Sequence, residues 1–159
     1  TNSKKDPIVV ILDNIRSLNN IGSIFRTCDA FAVEKLILCG ITAQPPHREI
    51  RKTAIGATES VNWEYSKNTN EAIEKCKKNG YGCYAIEQTN NSTYLHKFKA
   101  NNNKIALVLG NEVDGVSQCS IDLCDGAIEV PQWGTKHSFN VSVTTGIVLW
   151  EIKKSISLI

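Results

Sequence analysis

Residues 104–109 read KIALVL and are followed at once by Gly110-Asn111-Glu112. An apolar run this short, bounded by a glycine, predicts a strand covered on both faces rather than a helix. The pattern recurs: PIVVIL at 7–12 breaks into Asp13-Asn14, and AIEV at 127–130 breaks at Pro131. Strands that run straight into polar, glycine-bearing loops constrain the chain to an open α/β sheet. In such sheets ligands sit outside the strand ends, where these loops begin.

The intervening segments fit that class. After the first strand, Ile21, Ile24, Phe25, Cys28 and Phe31 recur at helical spacing, predicting an amphipathic helix over 20–31. EKLILC at 34–39 predicts a second strand, so the chain opens β-α-β. The segment HREIRKTAI predicts a short helix exposing His47, Arg48, Arg51 and Lys52, followed by a strand over 61–65. The next helix, NEAIEKCKKNG, has Thr69 as its candidate cap, Glu71 and Lys75 as an i,i+4 pair and Gly80 past its end. Further strands are expected at 81–86, 104–109 and 127–130, with EQTNNSTY as loop and SQCSIDLC as a short helix. In the tail, Phe139, Val143, Ile147 and Trp150 form one helical stripe, and Val141, Val148 and Ile152 a second. Two stripes imply burial on two sides, against the sheet and against a partner subunit. The expected fold is therefore a single α/β domain of about six mostly parallel strands with helices on both faces. Residues 1–6 are expected to form a loose tail.

Composition excludes several classes. A net charge of +2 rules out a uniformly basic nucleic-acid coat while leaving local basic patches open. No run approaches the roughly 18 apolar residues of a membrane helix. The 6 cysteines and 3 histidines are scattered without a CxxC pair, which argues against a metal centre and for reduced core thiols in a cytosolic protein.

Three stretches carry chemistry. Asn20, Gly22 and Arg26 open the first helix as N-x-G-x-x-x-R; alone, this also describes an Asn cap, a packing glycine and a surface arginine. Gly110 and Glu112 combine close backbone approach with a strong acceptor. Ser138 and Asn140 are suited either to bind a polar ligand or to cap the last helix. Neither a dinucleotide fingerprint nor a phosphate loop is present, and no G-x-S-x-G elbow makes Ser138 a nucleophile.

Taken in order, NIGSIFRTCDAF, LVLGNEVDG and IEVPQWGTKHSFNVSV resemble the three motifs of the SpoU/TrmH branch of the SPOUT RNA methyltransferases. The resemblance covers essentially the whole chain. Two positions depart from it, Ala32 in place of the usual Gly and Phe139 in place of Leu; both are expected to be tolerated in packing. The resemblance implies a 2′-O-ribose methyltransferase using S-adenosylmethionine, a C-terminal deep trefoil knot and a homodimer. By motif position, Gly110, Val130 and Phe139, with Leu109 and Pro131 beside them, correspond to cofactor contacts. Gln88 or Thr89 would close the adenine side.

Asn20, Arg26, Glu112, Ser138 and Asn140 correspond to the polar, catalytic set around the ribose. A guanidinium does not give up its proton, so Arg26 is expected to bind phosphate and stabilise a developing alkoxide. Arg16, Arg26, Arg48 and Arg51 are the expected RNA contacts, with transfer RNA favoured over ribosomal RNA. His137 is read as a solvated loop residue and Trp133 as a cover for the cofactor loop or dimer seam. The competing reading is a non-catalytic RNA-binding dimer on the same fold.

Overall fold

The computed structural model describes residues 4–100, 103–135 and 138–156. The strands are β1 (Asp6–Asp13), β2 (Val33–Cys39), β3 (Trp63–Ser66), β4 (Gly82–Ile86), β5 (Thr93–Tyr94), β6 (Ile105–Leu109) and β7 (Gly126–Glu129). The helices are α1 (Leu18–Ala30), α2 (Arg48–Ala54), α3 (Ala57–Ser60), α4 (Thr69–Lys78), α5 (Gln118–Leu123) and α6 (Val141–Ile156).

All seven strands join one sheet in the order β3-β2-β1-β6-β4-β7-β5, and each pairing is parallel. The seventh strand, β5, falls in the stretch that reads as a polar loop. Two residues are too few to show an alternation, so only pairing with β7 reveals it. The strand order, with β6 inserted between β1 and β4, is consistent with the knot that the resemblance implies.

Helices do cover both faces, and β1 shows why its sequence is apolar throughout. Ile8, Val10 and Leu12 enter one core with residues of α1, α2 and α6. Val9 and Ile11 enter a second core with Ala72, Ile73 and Cys76 of α4. Side chains alternate across a strand, so a sheet buried on both sides needs apolar residues at every position. Each such Ile or Leu contributes about 1.5–3 kcal/mol on burial.

Several local expectations are corrected. Helix α1 starts before residue 20, because the Ser17 hydroxyl, not Asn20, caps it by accepting the Asn20 N–H at 3.1 Å. Asn68 rather than Thr69 caps α4, accepting the Glu71 N–H at 2.9 Å. Thr69 is buried and donates instead to Asp13 Oδ1 at 2.6 Å. Lys75 turns away from Glu71 to pair with Glu64 at 3.2 Å; a tertiary partner displaces the local one. Of the expected loose tail, residues 1–3 lie outside the described residues, but Asp6 begins β1 and its carboxylate meets Lys153 Nζ at 2.6 Å. The cysteines are not all core thiols, since Cys119 is exposed and Cys124 half-buried.

The tail is a helix, as its length implies. One side, with Val141, Thr145, Val148, Leu149 and Ile152, is buried. The other leaves Val143 and Trp150 about half exposed.

Candidate functional site

Because every strand runs the same way, the carboxyl ends of β1, β6, β4 and β7 open on one edge of the sheet. The segments that leave that edge carry the three motif stretches. Leu109 is buried at the end of β6, and the chain then turns sharply. A Cβ on Gly110 would collide with the backbone of Gly115 and Val116, so this position accepts only glycine. Asn111 and Gly115 exchange backbone hydrogen bonds, Gly115 N to Asn111 O at 2.9 Å and Asn111 N to Gly115 O at 3.2 Å. The Asn111 side chain accepts from Val113 N and Asp114 N, at 2.8 and 3.1 Å, which closes the loop internally.

This loop is then tied to the start of the first motif. Glu112 Oε1 accepts the Arg16 N–H at 3.0 Å, and Oε2 accepts the Ser17 N–H at 2.8 Å. Asn111 Nδ2 donates to Asn14 O at 2.6 Å. Partial desolvation works against the charged form of Glu112, but the N–H groups of Arg16 and Ser17 and the Asn20 amide outweigh it. They hold the carboxyl below its ordinary range. A carboxylate placed beside the first turn of a helix is also favoured by the helix dipole.

Residues outside the motifs complete the arrangement. Glu87, directly after β4, accepts the Val116 N–H at 3.0 Å and lies against Gly115, whose φ of +69° disfavours a side chain there. Asp13 accepts from Ser117 N at 3.3 Å and from Thr69, which fixes the far end of the loop. Asn14, at φ +55°, accepts the Ile41 N–H at 3.0 Å. Glu87, Asp13 and Asn14 belong to no motif, and sequence alone assigns none of them a role in the site. Their one signal is position: each is a polar residue at the end of a buried strand or directly after it.

The expected site residues fall into two groups. Asn20, Glu112, Leu109, Gly110 and the Arg16 backbone converge on the β1 and β6 ends. Val130 and Pro131, both half-buried, leave β7, while Gln88 is exposed beyond β4. Thr89 is taken up in a turn, its carbonyl accepting the Ser92 hydroxyl at 2.9 Å. Asn140 takes the capping alternative: its Oδ1 accepts the Ser142 N–H at 2.9 Å and the Ser142 hydroxyl at 2.6 Å, at the start of α6. Ser138 is exposed, Phe139 is 40% exposed, and Trp133 is 91% exposed. His137 lies outside the described residues.

Arg26 is not brought to Glu112. It lies about 9 Å along α1 from Asn20 and roughly 240° around it, on the exposed side, and among the described residues it makes no ion pair. Gly22 does act as a packing glycine, since a Cβ there would strike Thr53 and the Ile50 carbonyl of α2. Arg48 and Arg51 are exposed on α2. Arg51 also lines an open cleft of ≈ 520 Å³ with His47, Glu59 and Trp63, apart from the strand-end loops.

Known proteins share this fold. The chain is 30% identical to the 23S rRNA (guanosine-2′-O-)-methyltransferase RlmB of Neisseria meningitidis serogroup B, over 96% of its own length and 60% of the relative's. It superposes on the AdoMet-bound rRNA methyltransferase of Sinorhizobium meliloti with a TM-score of 0.87 at 26% identity, covering 95% of this chain and 57% of that one. On the A. aeolicus TrmH/SpoU tRNA modifying enzyme the TM-score is 0.84 at 28% identity, covering 96% and 76%. The chain thus spans 60% of the length of its curated Neisseria relative. Residues 7–150, from the first strand through the exposed face of α6, match the model of the SpoU rRNA Methylase family, and this chain belongs to that family.

Proposed function

We propose that this chain transfers a methyl group from S-adenosylmethionine to a ribose 2′-hydroxyl of RNA, with transfer RNA as its substrate. The observation that carries this reading is Glu112. Its carboxylate joins the second motif to the Arg16 and Ser17 backbone at 3.0 and 2.8 Å, so the stretch bearing Asn20 and Arg26 is fixed against the glycine loop. The guanosine-2′-O activity named for the Neisseria relative supports a ribose acceptor.

The strand-end loops fit the methyl donor. Leu109, Val130 and Pro131 supply apolar surface, and Gly110 keeps a backbone edge clear of side chain where a Cβ would fill the turn. These residues, with Phe139 and with Gln88 on the adenine side, would hold it. When bound, S-adenosylmethionine supplies an electrophilic sulfonium methyl.

The chain's own residues do the rest. Arg26, exposed and permanently charged, binds the phosphate next to the acceptor ribose and stabilises the developing alkoxide. Glu112 has both oxygens engaged by backbone N–H groups and its carboxyl held below the ordinary range, which makes it a positioning residue and a poor base. Ser138 and the Asn140 amide orient the ribose. The proton passes to a phosphate oxygen or water. Val143 and Trp150, about half exposed on one side of α6, with Phe139 exposed just ahead of the helix, support a second copy of the chain as the partner there.

Transfer RNA is favoured through the A. aeolicus neighbour, the one of these three known proteins whose length the chain covers most fully. Ribosomal RNA is the second reading, supported by the rRNA enzymes of Neisseria and Sinorhizobium. The test is labelled-methyl incorporation into tRNA and rRNA from cells lacking the enzyme, followed by alkaline hydrolysis. A 2′-O-methyl ribose leaves the label in alkali-resistant dinucleotides. Label released as mononucleotides sinks the ribose reading, and label in rRNA alone sinks the tRNA choice.

A further inference from the structure

The sheet ends at β5, and the segment after it has a construction that the methyl-transfer site does not use. Leu95 is buried, and the Phe98 ring meets Tyr84 edge-on at 4.8 Å. These two anchors pin the segment to the core. The residues between and around them face solvent: Tyr94, His96, Lys97 and Lys99 are all exposed. The Tyr94 and His96 rings stack at 5.7 Å with an interplanar angle of 14°, and Tyr94 keeps 46% of its surface exposed.

Charge points the same way. From Gln88 to Ala100 the chain has no acidic residue, and among the described residues neither Lys97 nor Lys99 forms an ion pair. Glu129, the nearest carboxylate by register, lies opposite Tyr94 in the β5–β7 pairing and accepts from Ser92 at 2.7 Å. The location relates the patch to the chemistry. Glu129 is the last residue of β7 and already belongs to the third motif, which continues through Val130 and Pro131. The β5 backbone that carries Tyr94 therefore runs one strand spacing, about 4.8 Å, from the strand that leads into the cofactor loop.

We propose that Tyr94, His96, Lys97 and Lys99 form a platform that takes an unpaired base of the RNA substrate on the aromatic stack and its flanking phosphates on the lysines. Aromatic side chains with adjoining cations on an anchored surface are the combination that holds single-stranded RNA without base-edge readout. The platform rests on the reading of RNA as substrate and extends it, placing a contact outside the three motifs.

The experiment measures binding of an unstructured RNA oligonucleotide to the full chain by fluorescence anisotropy, in parallel with S-adenosylmethionine binding, oligomeric state and methyl transfer. Tyr94→Ala should weaken oligonucleotide binding by about 5- to 100-fold, from the usual worth of one base–aromatic stack, with cofactor binding unchanged. Tyr94→Phe should restore it. Lys97→Gln and Lys99→Gln should each lower the slope of log affinity against log salt by about 0.7. Oligonucleotide affinity within twofold of the parent in Tyr94→Ala, or no oligonucleotide binding by the parent itself, overturns the platform. A change in oligomeric state with RNA affinity intact overturns it in favour of a protein interface. Methyl transfer by the parent combined with a silent Tyr94→Ala leaves the enzymatic reading standing while this one falls. Tyr94-dependent RNA binding without any methyl transfer does the reverse.

Discussion

Glu112 Oε2 accepts the backbone N–H of Ser17 at 2.8 Å across 95 residues of sequence, and Ser17 is also the residue that caps α1. One carboxylate thus joins the glycine loop after β6 to the start of the helix that carries Asn20 and Arg26. Substituting glutamine for it keeps the shape but removes the charge and one acceptor. We expect Glu112→Gln to lose about 1 kcal/mol, below the usual 1.5–3 for bonds to a charged group because the site is partly exposed. The folded-state carboxyl is depressed, so its contribution is complete above the unfolded value near pH ~4.3 and is lost as pH falls through the lower folded value. Denaturant titrations of parent and variant should differ by a constant amount from neutral pH down to about pH 5 and converge in more acid solution. A difference that grows on acidification would contradict the arrangement.

Gly110 and Glu87 hold the loop from two sides. Gly110→Ala forces its Cβ into the Gly115–Val116 backbone, and S-adenosylmethionine binding should fall by more than about tenfold, over 1.4 kcal/mol. Glu87→Gln removes a charged acceptor from the Val116 N–H and should weaken cofactor binding less, by about threefold to tenfold. Isothermal titration calorimetry reads both, and equal or absent effects would show that the loop does not shape the cofactor site.

Arg26 is exposed and without an ion pair among the described residues, so truncation should cost stability little. Arg26→Ala should lower kcat by at least about 100-fold, the scale of one charge stabiliser lost, with cofactor affinity and Tm unchanged. Arg26→Lys should recover only part, since an ammonium lacks the planar fork. Near-parental turnover by Arg26→Ala removes this residue from the chemistry.

Ala32 occupies left-handed backbone at φ +52° between α1 and β2, a conformation that glycine adopts without a Cβ penalty. Ala32→Gly relieves the Cβ clash but enlarges the freedom of the unfolded chain. The net should be stabilising by about 0.5 kcal/mol, a Tm rise of about 1–2 °C. Ala32→Val, β-branched, should lower Tm, and the opposite order in thermal melts would refute the strain.

The exposed side of α6 predicts the state of the protein in solution. Val143→Glu and Trp150→Glu place charge on residues about half exposed in the single chain, so each should fold as stably as the parent. If a second copy covers this face, both should shift the molar mass measured by light scattering to that of one chain. A parent that is already monomeric at micromolar concentration would dismiss the partner.

Much of this protein was readable in its amino-acid order. Apolar runs without alternation announced strands buried on both faces, as β1 bears out by feeding two cores, and the spacing of Ile21, Ile24, Phe25 and Cys28 announced α1. The second and third motif stretches were legible as polar segments leaving strand ends, the first as the opening of an amphipathic helix, and the resemblance joined the three. Tertiary structure decided what local rules cannot weigh. It gave Lys75 to Glu64 instead of Glu71, gave the α1 cap to Ser17, and made a strand of Thr93–Tyr94 by pairing it with β7. It also engaged both oxygens of Glu112 with backbone N–H groups 96 and 95 residues away. Periodicity reports which side of an element is apolar; which distant donor meets a carboxylate depends on strand order and loop closure, and those exist only once the chain has folded.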